Sequence, residues 1–245
     1  MTKVMGIVNV TPDSFSDGGK FFTTEEAVRR VRNVVAEGAD IIDIGGESTR
    51  PGATAIGWEE EWRRIEPVLA AILPASVPVS VDTYHPETAE RAVAAGAAIV
   101  NCVKDEPVPA MLRILEANDK VELVLPAKSF LADDFPDAMR PRCYADPMIG
   151  FGTTREEDVA LMRGIPELAR RGRVLIGASR KRIVKKLVGE KTLGKDLAGS
   201  LAVAVWCAAA GASVVRVHDV RETVQAMRVV AALEGDGASC LNTEE

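Results

Sequence analysis

Short runs of apolar, mostly β-branched residues alternate along the chain with longer stretches in which apolar residues recur every three or four positions. The short runs predict strands at residues 4–9, 41–45, 79–82, 99–103, 121–126, 144–147, 174–177 and 214–218. The longer stretches predict amphipathic helices. One begins at Thr24-Glu25-Glu26, puts Ala27, Val31, Val34 and Val35 on one face and stops at Gly38. Eight strands separated by helices imply a parallel sheet, and eight is the number that closes a (β/α)8 TIM barrel. A Gly-Ala pair precedes three of the strands, at Gly38-Ala39, Gly96-Ala97 and Gly211-Ala212, and Arg171-Gly172 is a less regular fourth.

One repeat breaks the pattern. Between Pro126 and Asp146 lie 19 residues rich in Asp, Pro and Arg, with no helical period. A barrel repeat of about 30 residues does not fit there, so the helix after the fifth strand is expected to be missing or replaced by an irregular loop. Barrel wall left bare at that point would suit a partner subunit. No composition shift marks a second domain, so residues 1–234 are expected to form one barrel and residues 235–245 a frayed tail.

At 47% hydrophobic and 27% charged, the 245-residue chain has an ordinary globular composition. No apolar run reaches the roughly 18–20 residues of a membrane span, and Met1-Thr2-Lys3 leads straight into a strand. A cytoplasmic protein is expected, with no membrane partner. Cys102, Cys143, Cys207 and Cys240 show no paired spacing, which argues for reduced thiols rather than a zinc site or disulfides. A net charge of −6 excludes a nucleic-acid coat but leaves room for one small phosphorylated ligand.

The unusual polar residues fall at predicted strand C-termini, the end of this fold that carries active sites. Asn9 begins Asn9-Val10-Thr11-Pro12-Asp13-Ser14-Phe15, and Gly45-Gly46-Glu47-Ser48-Thr49-Arg50-Pro51-Gly52 follows strand 2. Charge sorts the set in two. Asn9, Thr49, Arg50, Arg216 and His218 suit a pyrophosphate with Mg²⁺, because Arg grips phosphate oxygens in pairs and an amide oxygen suits a hard cation. Asp82, Asn101, Asp146 and Lys181 suit a heterocycle rich in N–H and NH₂ groups. Neither a Ser-His-Asp nor a Cys-His set is evident. Glu47 reads equally as catalytic or as a brace for its loop, and Cys102 reads as a small buried thiol.

Six segments carry a more specific signal: residues 9–19, residues 45–52, Ser80-Val81-Asp82-Thr83, residues 146–152, Ser179-Arg180-Lys181 and Arg216-Val217-His218-Asp219-Val220. In this order, over nearly the whole chain, they resemble the dihydropteroate synthase family. The resemblance implies that p-aminobenzoate displaces pyrophosphate from a dihydropterin, giving 7,8-dihydropteroate, in a cytoplasmic homodimer that uses Mg²⁺. It implies a pterin grip by Asp82, Asn101, Asp146 and Lys181, and a pyrophosphate grip by Asn9, Thr49, Arg50, Arg216 and His218, with Asn9 on the metal. It further implies a p-aminobenzoate pocket of Asp13, Phe15, Thr49, Pro51, Phe151 and Ser179, with Asp82, Asp146, Lys181 and Arg216 in catalysis. On this reading Arg216→Ala lowers turnover by orders of magnitude with folding intact. The chain departs from the family at Cys102, where an acid usually stands, at Leu125-Pro126 in place of Met-His, and at Thr153 in place of Lys. Two alternatives therefore stay open: a divergent pterin-binding paralogue with altered or weak activity, and a methyltetrahydrofolate-dependent corrinoid methyltransferase.

Overall fold

The computed structural model describes residues 1–11, 23–48, 53–190, 192 and 195–233. Its strands are β1 (Lys3–Asn9), β2 (Ile41–Gly45), β3 (Val79–Asp82), β4 (Ile99–Asn101), β5 (Glu122–Pro126), β6 (Cys143–Asp146), β7 (Arg173–Ile176) and β8 (Val214–Val217). All pair in parallel and close in chain order, β8 returning to β1, so the expected TIM barrel forms. Around it run α1 (Thr24–Ala36), α2 (Trp58–Ile72), α3 (Pro86–Ala95), α4 (Val108–Ala117), α5 (Ala127–Phe130), α6 (Arg155–Arg163), α7 (Ile165–Arg171), α8 (Arg182–Val188), α9 (Leu197–Ala209) and α10 (Val220–Leu233). No described helix is long and apolar enough to cross a membrane.

Local chemistry sets the element ends. Thr23 caps α1 through a reciprocal pair, Glu26 N–H to Thr23 Oγ1 at 3.2 Å and Thr23 N–H to a Glu26 carboxylate oxygen at 3.1 Å. Gly38, Gly96 and Gly211 take φ of 97°, 108° and 99°, the left-handed stop that a residue with a Cβ resists. β4 is shorter than its apolar run. After Cys102 N–H donates to the Val124 carbonyl at 2.9 Å, the chain leaves the sheet. β6 ends at Asp146 because Pro147 has no N–H for the ladder.

Strand alternation sorts side chains between the helix layer and the barrel interior. Met5, Ile41, Ile99, Val124, Tyr144, Leu175 and Val214 form a separate apolar cluster filling the lower interior. Two residues further along each strand, the inward position becomes polar at Asp43, Asn101, Asp146 and Arg216. An apolar plug below and a polar layer above make the mouth of the barrel a site by construction.

The irregular repeat closes its own wall. α5 is a single turn, and a 3₁₀ turn at Asp137–Arg142 leads into β6. Phe130 is fully buried, Phe135 is buried beside it, and Arg140 lies 5.0 Å from both rings while donating to the Phe130 carbonyl at 2.7 Å. The missing helix is thus replaced by two aromatics under a guanidinium, and no partner subunit is needed there. Gly172, the irregular fourth glycine, keeps an extended backbone. Its role is steric: a Cβ there would stand 2.4 Å from Phe130 Cζ. Gly172→Ala is expected to cost about 1–3 kcal/mol through overpacking, read as a lower thermal midpoint with normal ligand affinity; an unchanged midpoint would refute the close packing of Phe130 on Gly172.

Candidate active site

Arg216, inward on β8, sits at the centre of the polar layer. Its Nε donates to Asp43 Oδ2 at 2.5 Å and its Nη2 to Asp82 Oδ2 at 2.6 Å, so one guanidinium bridges β2 and β3 across the mouth. Asn101 Nδ2 reaches the same Asp43 oxygen at 3.3 Å. Four buried atoms in this patch have no partner: Asp43 Oδ1, Ser80 Oγ, Asp82 Oδ1 and Asn101 Oδ1. Buried polar atoms are nearly always satisfied. Three of these four are pure acceptors on adjacent strands, the complement of a ligand edge rich in N–H groups.

Asp146 and Lys181 extend the patch. Asp146 Oδ1 accepts the Met148 N–H at 2.7 Å, with Met148 at φ 62° to make the turn. Lys181 Nζ donates to the Ile149 carbonyl at 2.6 Å and lies 4.3 Å from the centre of the Phe151 ring. Phe151 therefore stands beside the polar half and offers a flat apolar face. Ser179 Oγ accepts the His218 N–H at 3.2 Å and lies 3.2 Å from its Nδ1, while Arg30 Nη2 donates to the His218 carbonyl at 3.0 Å. Asn9 ends β1, in register with Gly45, which is in register with Asp82. A Cβ on Gly45 would lie 3.8 Å from both Asn9 Oδ1 and Asp82 Oδ2. The glycine leaves open the space between these oxygens.

Of the residues singled out in the sequence, Asn9, Asp82, Asn101, Asp146, Phe151, Ser179, Lys181, Arg216 and His218 all stand at the C-terminal end of the barrel. Asp13, Phe15, Thr49, Arg50 and Pro51 lie outside the described residues. Arg216, assigned from sequence to the pyrophosphate half, is gripped by two carboxylates and so joins the two halves. Asp43 stands among the polar residues at the strand ends, but its sequence context assigns it no role of its own. Its inward parity with Ile41 and Gly45 was the available signal.

Burial dominates the electrostatics. It pushes Asp82 up to about 7, Arg216 opposing and Asp43 adding to the rise. It also raises Asp146, against Lys181 and the Met148 N–H. Lys181 is brought down to about 8 by burial, with Asp146 resisting the loss of charge. Burial opposes the charge on Arg216 too, but Asp43 and Asp82 more than offset it and hold the group above its ordinary value. The charged pair Asp82⁻ and Lys181⁺ is therefore most populated between about 7 and about 8. Asp82 gains its charge as pH rises through the first value, and Lys181 loses its charge through the second. The specificity constant for a substrate held by this pair is expected to follow a bell with these limbs. Arginine stays charged throughout, so in Lys181→Arg the high-pH limb should vanish while the low-pH limb stays; an unmoved high-pH limb would remove Lys181 from the profile.

A family model described as pterin binding enzyme matches residues 5–137 and 139–218. The chain is 40% identical to a dihydropteroate synthase of Neisseria meningitidis serogroup B, over 94% of this chain and 92% of that one. The chain belongs to the dihydropteroate synthase family of pterin-binding enzymes. It is also 38% identical to the Escherichia coli K12 dihydropteroate synthase, over 94% of this chain and 90% of that one. Among solved structures, the Clostridium difficile dihydropteroate synthase in the presence of pteroic acid aligns at TM-score 0.85 with 34% identity, covering 95% of this chain and 96% of that one. The Xanthomonas albilineans dihydropteroate synthase with 4-aminobenzoic acid aligns at 0.81 with 39% identity, covering 95% and 93%.

The departures from the family pattern have local explanations. Cys102 is buried, donates its thiol to the Lys104 carbonyl at 3.3 Å and is pushed up to about 11 by burial, so it is a neutral packing group. Thr153 Oγ1 donates to Asp158 Oδ1 at 2.5 Å, and the Gly150 N–H donates to the same oxygen at 2.7 Å, which braces the turn below Phe151. Leu125 is fully buried.

Proposed function

We propose that this chain acts as a dihydropteroate synthase, joining 6-hydroxymethyl-7,8-dihydropterin pyrophosphate to p-aminobenzoate and releasing pyrophosphate. One observation carries the reading: the unpartnered acceptors of Asp82 and Asn101, held in place by Arg216 and Asp43. In the reaction the carbon–oxygen bond to pyrophosphate breaks with its electron pair leaving on oxygen. The amine nitrogen forms the new bond to that carbon and then gives up a proton to solvent. Positive charge that develops on the ring as the bond breaks is stabilised by Asp82 and Asp146, while Arg216 and His218 favour the anion that departs. Lys181 donates a hydrogen bond to the heterocycle, and the Phe151 face lies beside it to pack against a ring. No protein nucleophile is required. Pyrophosphate release measured with and without p-aminobenzoate tests the reading, and release that ignores the amine would defeat it. The relatives' dihydropteroate synthase names favour this reading over methyl transfer from methyltetrahydrofolate.

Mg²⁺ fits the same mouth through Asn9. The described residues contain no group of three His, Cys, Asp or Glu able to hold a metal, and Mg²⁺ takes few protein ligands, keeping several waters and binding substrate phosphates. Asn9 Oδ1 would be that protein oxygen. The ion would supply charge neutralisation on the pyrophosphate.

A homodimer is supported by α9, which contains no charged residue and yet leaves Trp206 45% exposed. An uncharged helix with a bare tryptophan suits a protein contact better than water. Trp206→Glu is expected to turn a dimer into a monomer in sedimentation equilibrium; a wild-type monomer would defeat the proposal.

A further inference from the structure

The turn between β6 and α6 owes its shape to anchors outside it. Met148, Gly150 and Gly152 take φ of 62°, 79° and 76°, so left-handed residues alternate along the turn, and Met148 does so despite its side chain. Two of the anchors, Asp146 on the Met148 N–H and Lys181 on the Ile149 carbonyl, also have work to do on the substrate. Asp158 has none. It is buried on α6 with 3% exposure, and its Oδ1 accepts the Gly150 N–H at 2.7 Å and the Thr153 hydroxyl at 2.5 Å. The same Gly150 N–H lies 3.1 Å from Thr153 Oγ1, so the three residues close a network on either side of Phe151. The start of α6 is itself fixed, because Thr154 Oγ1 accepts the Glu157 N–H at 3.2 Å and the Thr154 N–H donates to Glu157 Oε2 at 2.7 Å. Asp158 thus ties the turn to a capped helix.

The position of this turn decides how Phe151 meets Lys181. A Cβ on Gly150 would stand 3.1 Å from Lys181 Cδ, so the lysine stem packs against bare backbone before its Nζ comes to lie 4.3 Å from the centre of the Phe151 ring. Asp146 ends β6 and Lys181 follows β7, so the pterin grip has supports apart from Asp158. Phe151 is carried by the turn alone. A shift of about 1 Å in such a fixed relation can lower a rate by about 10².

We propose that Asp158 is a positioning residue, which through Gly150 and Thr153 holds the Phe151 ring where it aligns the acceptor amine with the reacting carbon of the pterin. The proposal rests on the synthase reading for its substrate. Its test combines hydrogen-exchange mass spectrometry of residues 148–153 with the KM for p-aminobenzoate, the turnover rate constant and calorimetric affinity for 6-hydroxymethylpterin. In Asp158→Ala, exchange in the turn should quicken at least about tenfold, since an opened turn no longer protects its amides. The acceptor KM should rise about tenfold and the rate constant fall about tenfold, together about 10², while pterin affinity changes less than about threefold. Asp158→Asn keeps an oxygen for both donors and should recover most of the loss. Thr153→Ala, a gentler change should the first variant not fold, is expected to show the same pattern in weaker form. Unchanged exchange in the turn, or pterin affinity falling as far as acceptor affinity, in either Asp158→Ala or Thr153→Ala would overturn the proposal. Wild-type protein without amine-dependent release would instead defeat the synthase reading, and the exchange measurement would still judge Asp158.

Discussion

Arg216→Ala is expected to lower amine-dependent pyrophosphate release by about 10²–10³-fold, the usual cost of removing one donor aimed at developing charge. The variant also leaves Asp43 and Asp82 without the cation that bridges them, at 2.5 and 2.6 Å. Breaking a buried pair by deleting one partner costs about 3–5 kcal/mol. A large loss of stability is therefore expected as well, which revises the expectation from sequence that folding would be intact. Turnover per folded molecule and a denaturant midpoint separate the two effects. Arg216→Lys is the useful companion, since it restores charge without the planar fork that reaches two carboxylates. It should fold better than the alanine variant and still turn over slowly. A folded Arg216→Ala protein with a near-normal rate would end the role assigned to this residue.

The second large effect is expected at Asp146. Its Oδ1 is committed to the Met148 N–H at 2.7 Å, which leaves the other oxygen to accept from the ligand. Asp146→Asn keeps the size and the bond to Met148, but turns an NH₂ toward the ring where an acceptor is needed. Losing a hydrogen bond to a charged group costs about 1.5–3 kcal/mol, or about 10- to 150-fold in affinity. Calorimetry with a pterin should show that loss with a nearly unchanged thermal midpoint. Equal affinity in the variant would place the pterin elsewhere.

Much of the fold was legible because a parallel barrel writes itself as short apolar runs with polar ends. The runs at residues 41–45 and 79–82 coincide with β2 and β3, since burial on both faces makes such strands continuous in sequence. The segment after Pro126 was legible only as a defect. Phe130 and Phe135 fill the wall without any period, and nothing local announces that Arg140 will lie over both rings. In the site, Asp82, Asn101 and Arg216 were found because they end strands. Asp43 was missed as the hub because Arg216 lies 173 positions away, and only closure of the barrel brings β8 around to complete the polar layer. Glu47 stayed ambiguous for the same reason: its partners Tyr84 and His85 belong to the next repeat.

The central claim is that the mouth of this barrel couples departure of pyrophosphate to capture by an amine. Its most direct test is mass spectrometry of the products formed from the dihydropterin pyrophosphate, p-aminobenzoate and Mg²⁺. The account predicts 7,8-dihydropteroate in equal amount to the pyrophosphate released, with both abolished together in Asp82→Ala. Tight binding of the pterin substrate with no dihydropteroate formed would contradict it.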